Sequence, residues 1–420
     1  PQCATASNAS RYVSETIPDL KKTLAGRDNV YAMTLGDIVF DSTNMWPTMK
    51  ASMSSVYNGT SYIVFFQTIG NHDHDSLKPD TDDDVLDDYN ATSTFGSFFG
   101  PTDYSFDRGD VHIISMDNIP VTSQNTSGKS NGKTWAYGKG FSDAQLEWLK
   151  KDLATVPKST PLMLSTHAPV NKPVSGEAYS FKGGLTGSQV QTEEFLEAFK
   201  GYQLHIFTGH THNICNYVNP YNGLYEHNSG AVCADWWWSG KESGVLISQD
   251  GAPSGYTIVS VNGKKMTWRY KASGYPIDYQ FRSYDMNEVR KVVQPSIAAG
   301  KSGFKTYVSE MAKYDDNDVL LNIWYWDPQW RFSVTENGEA LDVQSVWEYD
   351  PLHIIAYTAP RYNKTDDPTF PTERWTHFFK VHASSPTSTL QISVTDRWGN
   401  TCSETMQRPK TFSVDTYKAK

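Results

Sequence analysis

Four short blocks in this chain carry groups suited to metal chemistry: Gly36-Asp37-Ile-Val-Phe-Asp41, Gly70-Asn71-His72-Asp73, Thr166-His167 and Gly209-His210-Thr211-His212. Hydrolysing a phosphate ester needs an activated water, neutralised charge on the phosphoryl oxygens and help for the leaving group. Two cations about 3.5–4 Å apart do the first two jobs together. Such cations take carboxylate, amide oxygen and imidazole ligands. A carboxylate bridges two metals with its two oxygens, and Asp37 is the group for that place. Gly36 lets the backbone turn sharply. The Asn71 carbonyl oxygen ligates without adding charge, and His72 beside it suits a general acid. His210 and His212 can address two neighbouring cations. Each block alone is weak, because Gly-Asp recurs by chance and a lone histidine such as His167 is more often structural. Their order, each behind an apolar run, gives them weight together.

Other polar groups are open to two readings. Asp41 orients a ligand from behind or faces solvent. Asp73 orients His72 or caps the following turn. The run Asp80, Asp82, Asp83, Asp84, Asp87, Asp88 lacks the EF-hand pattern and reads as a solvated loop. Trp236-Trp237-Trp238 is a wall for an apolar or sugar-like group, or packing between domains. His112 reads as structural, whereas His74 and His227 are candidates for a substrate-facing rim.

The elements that must position these blocks follow from periodicity. Val13, Ile17, Leu20 and Leu24 predict a helix over 10–25. Residues 29–35 read as a buried strand ending at Gly36-Asp37, 44–57 as a helix, and 61–69 as a strand ending at Gly70. A hairpin is predicted over 104–116 with its turn at 107–110. Ser142-Asp-Ala-Gln145 is a capping-box pattern that starts a helix reaching about 154. Strand 161–165 leads into His167, and a helix at 188–200 precedes strand 202–207, which ends at Gly209. Strand, polar motif and helix alternate, so the class is α/β with functional residues in loops at strand ends. From about 245 helical periodicity largely disappears. Alternating segments at 319–326, 340–347, 375–381 and 390–394 predict an antiparallel β domain. The boundary is placed near 275, giving domains 1–275 and 276–420.

The 420 residues are long for one core, which agrees with two domains. Net charge is -10, and no Lys/Arg block is present. A long nucleic-acid partner needs clustered cationic charge and is disfavoured, a nuclease with it. An acidic surface still accepts a small phosphorylated substrate where bound cations dominate the local field. No run of 18 apolar residues predicts a membrane helix. Cys3, Cys215, Cys233 and Cys402 match no zinc pattern or disulfide scaffold. Cys215 and Cys233 are close enough in sequence to pair, with buried thiols the favoured reading. The five Asn-x-Ser/Thr triplets, at Asn8, Asn58, Asn90, Asn125 and Asn363, are few enough for chance.

The four blocks together resemble the calcineurin-like metallophosphoesterase superfamily, whose pattern is Asp-x-His, Gly-Asp-x-x-Asp or a variant, Gly-Asn-His-Asp/Glu, His, and Gly-His-x-His. The last four are present between 36 and 212. Phe99–His112 and the helix from Ser142 resemble segments of bacterial members. Gly230–Gly240 and Asp396-Arg-Trp-Gly399 resemble the C-terminal part of a bacterial subgroup with an added β domain, a less specific likeness. The resemblance implies a two-sheet α/β sandwich flanked by helices and a centre of two divalent metals, manganese, iron or zinc. In it Asp37 would bridge the metals. Asn71, His167 and His210 would complete one site, and His212 would belong to the other. His72 would donate a proton while a metal-bridging hydroxide attacks phosphorus in line, in a phosphodiesterase or phosphomonoesterase.

The first block of the pattern, Asp-x-His, is not visible. Pro1-Gln2 stands where it should fall, just before the first helix, so an Asp is expected immediately upstream, with Gln in the place of His. Gln2 would then be a neutral oxygen ligand, or a group hydrogen-bonding behind the His212 site. The missing block motivates the competing reading, a catalytically degenerate protein that uses this scaffold to bind a glycan or cell-envelope ligand. The start at Pro1 and the subgroup likeness suggest a periplasmic or secreted location.

Overall fold

The computed structural model describes residues 1–75, 89–122, 129–130, 133–134, 136–170, 172–174, 177–180, 189–218, 224–232, 238–297, 300–366 and 368–418. The chain folds as two compact units. One comprises Pro1–His212, Tyr217–Trp236 and Val259–Trp268; the other comprises Asn213–Asn216, Trp237–Ile258 and Arg269–Lys420. The Asp80–Asp88 run, Cys233, Asn125 and the side chains of Trp236–Trp238 lie outside the described residues. Cys3, Cys215 and Cys402 are buried thiols. Among the described residues no helix is long and apolar enough to cross a membrane.

Two sheets carry the functional blocks of the first unit, beside small two-stranded ribbons. Strands β1 (Tyr31–Met33) and β2 (Val64–Phe66) pair in parallel. The second sheet contains β3 (Tyr104–Arg108), β4 (Val111–Ser115), β5 (Leu162–Ser165), β6 (Leu204–Thr208), β7 (Cys215–Val218) and β8 (Tyr225–Asn228), in the order β7-β8-β6-β5-β4-β3. The pairs β4–β5, β5–β6 and β6–β8 are parallel, and β3 joins as an antiparallel edge. Parallel strands share one end at which the chain leaves the sheet; in the larger sheet that end carries Thr166-His167 after β5 and Gly209-His210 after β6, while the other two blocks follow β1 and β2.

Helices cover these sheets for reasons visible in their sequences. Helix α1 (Trp46–Ser54) buries Trp46, Met49 and Met53, with α2 (Tyr89–Phe99) adding Phe95 to the same core. The Ser142 side chain caps α3 (Asp143–Leu153) in a complete capping box with Gln145, and Leu146, Leu149 and Leu153 point inward at helical spacing. Phe195 of α4 (Gln189–Ala198) stacks on Phe141 at 4.8 Å. Each such side chain contributes about 1.5–3 kcal/mol when fully buried. The first helical run is Ala6–Arg11, a π-helical Tyr12–Thr16 and Ile17–Thr23.

A polar joint ties the two sheets just below the functional end. The Thr68 hydroxyl lies 3.0 Å from that of Ser115 and 2.5 Å from that of Ser165, all three buried. Ser115 and Ser165 close β4 and β5, and Thr68 precedes Gly70-Asn71. Buried hydroxyls that must find partners, here one another and for Ser115 also the Tyr104 side chain, set the height of the Gly70 loop over the strand ends.

The second unit is mainly antiparallel. Strands β9 (Gly255–Asn262) and β10 (Lys265–Ala272) pair with each other, their Val259–Trp268 tip counting with the first unit. Strands β11 (Arg282–Asp285), β12 (Asp318–Asn322), β16 (Arg374–His382) and β15 (Gln344–Tyr349) form one sheet in that order. Strands β14 (Glu339–Ala340), β13 (Arg331–Glu336), β17 (Leu390–Thr395) and β18 (Thr401–Met406) form another. Val319, Leu321, Val334, Phe379, Ile392 and Val394 interleave in their common core. The segment expected as one strand over 319–326 stops pairing at Asn322, and Tyr325 takes φ 64.

Helices also occur where helical periodicity was not expected. Helix α5 (Met286–Ile297) buries Met286, Val289 and Val293; α6 (Ser302–Met311) buries Phe304, Tyr307, Val308 and Met311. Both keep the three-to-four spacing, but Pro295 within α5 and Gly300 and Gly303 around the start of α6 obscure it.

Candidate metal centre

Each block follows a strand and turns sharply. After β1 the chain reaches Gly36 at φ 83 and Asp37 at φ 52. A Cβ on Gly36 would stand 2.3 Å from His167 Nδ1, and one on Gly70 would stand 2.4 Å from Asp37 Oδ1. Only glycine at these two places lets the blocks come together. Gln2, Asp37, Asp41, His210 and His212 all have positive φ, half of the ten such non-glycine residues among those described. This conformation is costly for side-chain-bearing residues and persists where neighbours over-determine it.

The bonds that over-determine it are dense. The Asp37 carbonyl accepts the Gln2 backbone N–H at 2.6 Å, and Cys3 bridges Val39 in parallel. Asp37 Oδ1 accepts the His72 backbone N–H at 3.0 Å, and Oδ2 accepts Gln2 Nε2 at 3.2 Å. His167 Nδ1 donates to the Leu35 carbonyl at 2.7 Å. His167 Nε2 then carries a lone pair in the neutral ring. It lies 3.0 Å from Asn71 Oδ1, 3.2 Å from His210 Nδ1 and 3.3 Å from Asp37 Oδ2. His210 Nδ1 is also 3.0 Å from Asn71 Oδ1.

This arrangement fits a cation. Electron-pair donors converge with too few hydrogens to satisfy them. Two ligands each ~2.1 Å from one ion at a right angle stand ~3.0 Å apart, matching these separations. Asp37, His167 and His210 offer ligand atoms within 4.8 Å of one another. The Gln2 Oε1, buried and without a hydrogen-bond partner, is an orphaned acceptor beside Asp37. His212 lies within electrostatic reach of Asp37, His167, His72 and the Pro1 amino group.

Electrostatics prepare these groups to ligate. Burial pushes the Asp37 carboxyl up, but attraction to His167 and His72 in their protonated forms, with hydrogen bonds from both residues, outweighs it and holds it far below the ordinary carboxylate range. Burial lowers His210 to about 2, with His167 and Lys139 adding repulsion. Burial lowers His212 to about 4 against the attraction of Asp37. Neutral imidazoles and an ionised carboxylate are the forms that bind metal. His72 goes the other way: burial lowers it, yet Asp37 and the bond to Asp41 raise it overall.

The two carboxylates with double readings separate cleanly. Asp41 Oδ1 lies 3.0 Å from His72 Nδ1, and Phe40 stacks on the same ring at 4.2 Å. Asp73 instead accepts the backbone N–H groups of Val39 and Gly70, each at 3.0 Å, and so caps the turn. Burial, then the Asp37 charge, push it up to about 6. His74 and His227 are not on a rim. His74 is buried between the Gly70 carbonyl at 2.8 Å and Asp117 at 3.1 Å; His227 is buried in a stack with Phe207 at 4.5 Å. His112 is held by Asp107 and Asp152, each at 2.8 Å.

Sequence reasoning missed Phe40, Tyr137 and Lys139. The Tyr137 ring stands edge-on to His210 at 6.0 Å and is 41% exposed. No motif surrounds it, and only its placement against His210 reveals it.

Residues 13–213 match the family model described as calcineurin-like phosphoesterase, and residues 226–402 match that described as the C terminal of calcineurin-like phosphoesterase. All four blocks fall inside the first match. Among solved structures, the chain is similar to the phosphopantetheinyl hydrolase (PptH) from Mycobacterium tuberculosis. That likeness has 12% identity and a TM-score of 0.27, covering 51% of this chain and 84% of that one. So low a TM-score decides nothing further about this chain. No curated protein sequence matches it.

Proposed function

We propose that this chain, which belongs to the calcineurin-like phosphoesterase family and is a metal-dependent hydrolase of phosphate esters, works through a dinuclear centre. Asp37 would bridge the two cations. Asn71, His167 and His210 would hold one, and His212 with Gln2 Oε1 the other. When bound, the divalent cations, manganese, iron or zinc, neutralise the phosphoryl oxygens and acidify the attacking water. The observation that carries this reading is the meeting of Asn71 Oδ1, His210 Nδ1 and Asp37 Oδ2 around His167 Nε2, with too few hydrogens among them to satisfy every contact.

The chain's own residues supply the rest. Leu35 fixes the His167 tautomer, so its Nε2 is always the ligating atom. Asp41 holds His72 through Nδ1, leaving Nε2 to pass a proton to the departing oxygen. Asp73 pins the Gly70 turn, which keeps Asn71 and His72 at their stations. The acidic chain, at net charge -10, favours a small phosphorylated substrate over a long nucleic acid.

The test pairs metal analysis with hydrolysis of bis(p-nitrophenyl) phosphate and p-nitrophenyl phosphate, on wild type and His210→Ala. Two metals per chain, turnover that needs them, and loss of both in the variant are the expected results. Two bound metals with no turnover of either ester would favour the scaffold as a binding protein, and one metal or none in the active wild type would remove the dinuclear assignment.

A further inference from the structure

The segment 136–140 runs beside the metal centre as the second strand of a small ribbon. Tyr137 pairs with Val121, and Ala136 with Thr122, antiparallel. The ladder continues past them, with Gly138 N–H donating to Pro120 at 2.8 Å and Gly140 N–H to Asn118 at 3.0 Å. Residues 137 and 139 therefore lie on one face of an extended strand. The ribbon is clamped to the centre by Asn118, which is fully buried. Its amide donates to the Ala168 carbonyl at 2.8 Å and accepts the Ala168 N–H at 2.9 Å. Ala168 follows His167 directly, so this reciprocal bridge ties the ribbon to a candidate ligand loop without using Tyr137 or Lys139.

On that fixed face Tyr137 sets its ring edge-on to His210 at 6.0 Å while 41% of the residue stays exposed. Lys139, two residues on, is close enough for its ammonium charge to act on His210. The register thus puts an aromatic ring and a cation on the same strand face, with the ring against His210. A phosphomonoester carries about −1.5 to −2 charge at neutral pH. A diester carries about −1 and places a second organic group where the additional anionic oxygen would lie. The ammonium discriminates between the two by charge, and the ring offers a flat apolar surface to the ester's organic group.

We propose that Tyr137 and Lys139 form the substrate-reading edge of this centre, Lys139 favouring phosphomonoesters over phosphodiesters and Tyr137 contacting the organic group. The proposal rests on the hydrolase reading above. Neither residue is a metal ligand, so both act on affinity.

Lys139→Met, Lys139→Arg and Tyr137→Leu are compared with wild type on p-nitrophenyl phosphate and its bis ester. Binding of inorganic phosphate to the metal-loaded proteins is measured by calorimetry, and metal content in parallel. Lys139→Met is expected to lower monoester kcat/KM about tenfold, mainly through KM, to change the diester little, and to weaken phosphate binding about tenfold. Lys139→Arg restores both. Tyr137→Leu raises KM for the aryl ester and leaves inorganic phosphate unaffected. Equal losses on both esters, unchanged phosphate affinity in Lys139→Met, or lost metal in either variant would overturn the proposal. Absence of turnover in metal-loaded wild type counts against the hydrolase reading alone, because the phosphate-binding arm still decides the role of Lys139.

Discussion

Replacing Gly36 by alanine should weaken the metal centre without touching a ligand. The new Cβ would stand 2.3 Å from His167 Nδ1, 2.8 Å from its Cγ and 2.9 Å from Gly70 Cα. Ordinary non-bonded contact is about 3.5 Å, so the ring must recede by about 1 Å. It has no open space to enter: His167 is fully buried and its Nδ1 is tied to Leu35 at 2.7 Å. Metal–ligand bonds tolerate deviations of only about 0.2 Å. Losing an orienting partner of a ligand typically costs about 10–100-fold in metal affinity. The upper figure corresponds to about 2.7 kcal/mol less stabilisation by saturating metal. Alanine at φ 83 also carries a backbone cost of about 1–2 kcal/mol, independent of metal. Gly26→Ala isolates that cost, since Gly26 has φ 71 and nothing within 4 Å of its added Cβ. Denaturant unfolding with and without chelator, plus direct metal titration, separates the two terms. Both variants should lose metal-free stability, and only Gly36→Ala should lose metal affinity. If Gly36→Ala binds metal as tightly as Gly26→Ala, the claim that His167 is held in place by a missing Cβ is wrong.

Two further perturbations probe the neighbouring carboxylates. Asp41→Asn keeps an oxygen for His72 Nδ1–H but removes the charge that raises His72. It should cut kcat about ten- to a hundredfold, move the alkaline limb of the pH–rate profile to lower pH, and leave metal content unchanged; an unaltered kcat would exclude Asp41 as the positioning residue. Asp103 tests linkage away from the centre, because burial and then the Asp117 charge push its carboxyl from 3.8 up to about 7. A raised carboxyl favours the native state when protonated, so wild-type stability conferred this way is lost as pH rises from about 4 through 7. Asp103→Asn keeps the acceptor used by Asp117 N–H and Gln145 Nε2, both of which bond to Oδ1. Its unfolding midpoint should fall less across that window, and parallel pH profiles for the two proteins would refute the assignment.

Much of the candidate centre was legible because each ligand and the residue that aims it are neighbours in sequence. Gly36 precedes Asp37, Gly70 precedes Asn71, and Gly209 precedes His210. Local signals of this kind survive without knowledge of the fold, as does the Ser142–Gln145 cap of α3. The helices α5 and α6 were less legible, because Pro295, Gly300 and Gly303 interrupt patterns that packing nonetheless sustains.

The amino-acid sequence by itself determined which side chains are available to hold metal, the alternation of strand and helix that delivers them, and the change to β texture after about 245. Tertiary structure alone decided how they divide their work. Asn71 Oδ1 meets nitrogens 96 and 139 residues away, and only the meeting of loops from two separate sheets brings them to 3.0 Å. It also decided that Asp41 holds His72 while Asp73 caps the turn, and that His74 and His227 are buried instead of facing substrate. Tyr137 entered through a ribbon clamped by Asn118, a contact 50 residues long in sequence. Donor type is a property of a residue, whereas burial and partner are properties of packing between distant segments, and no local pattern encodes them.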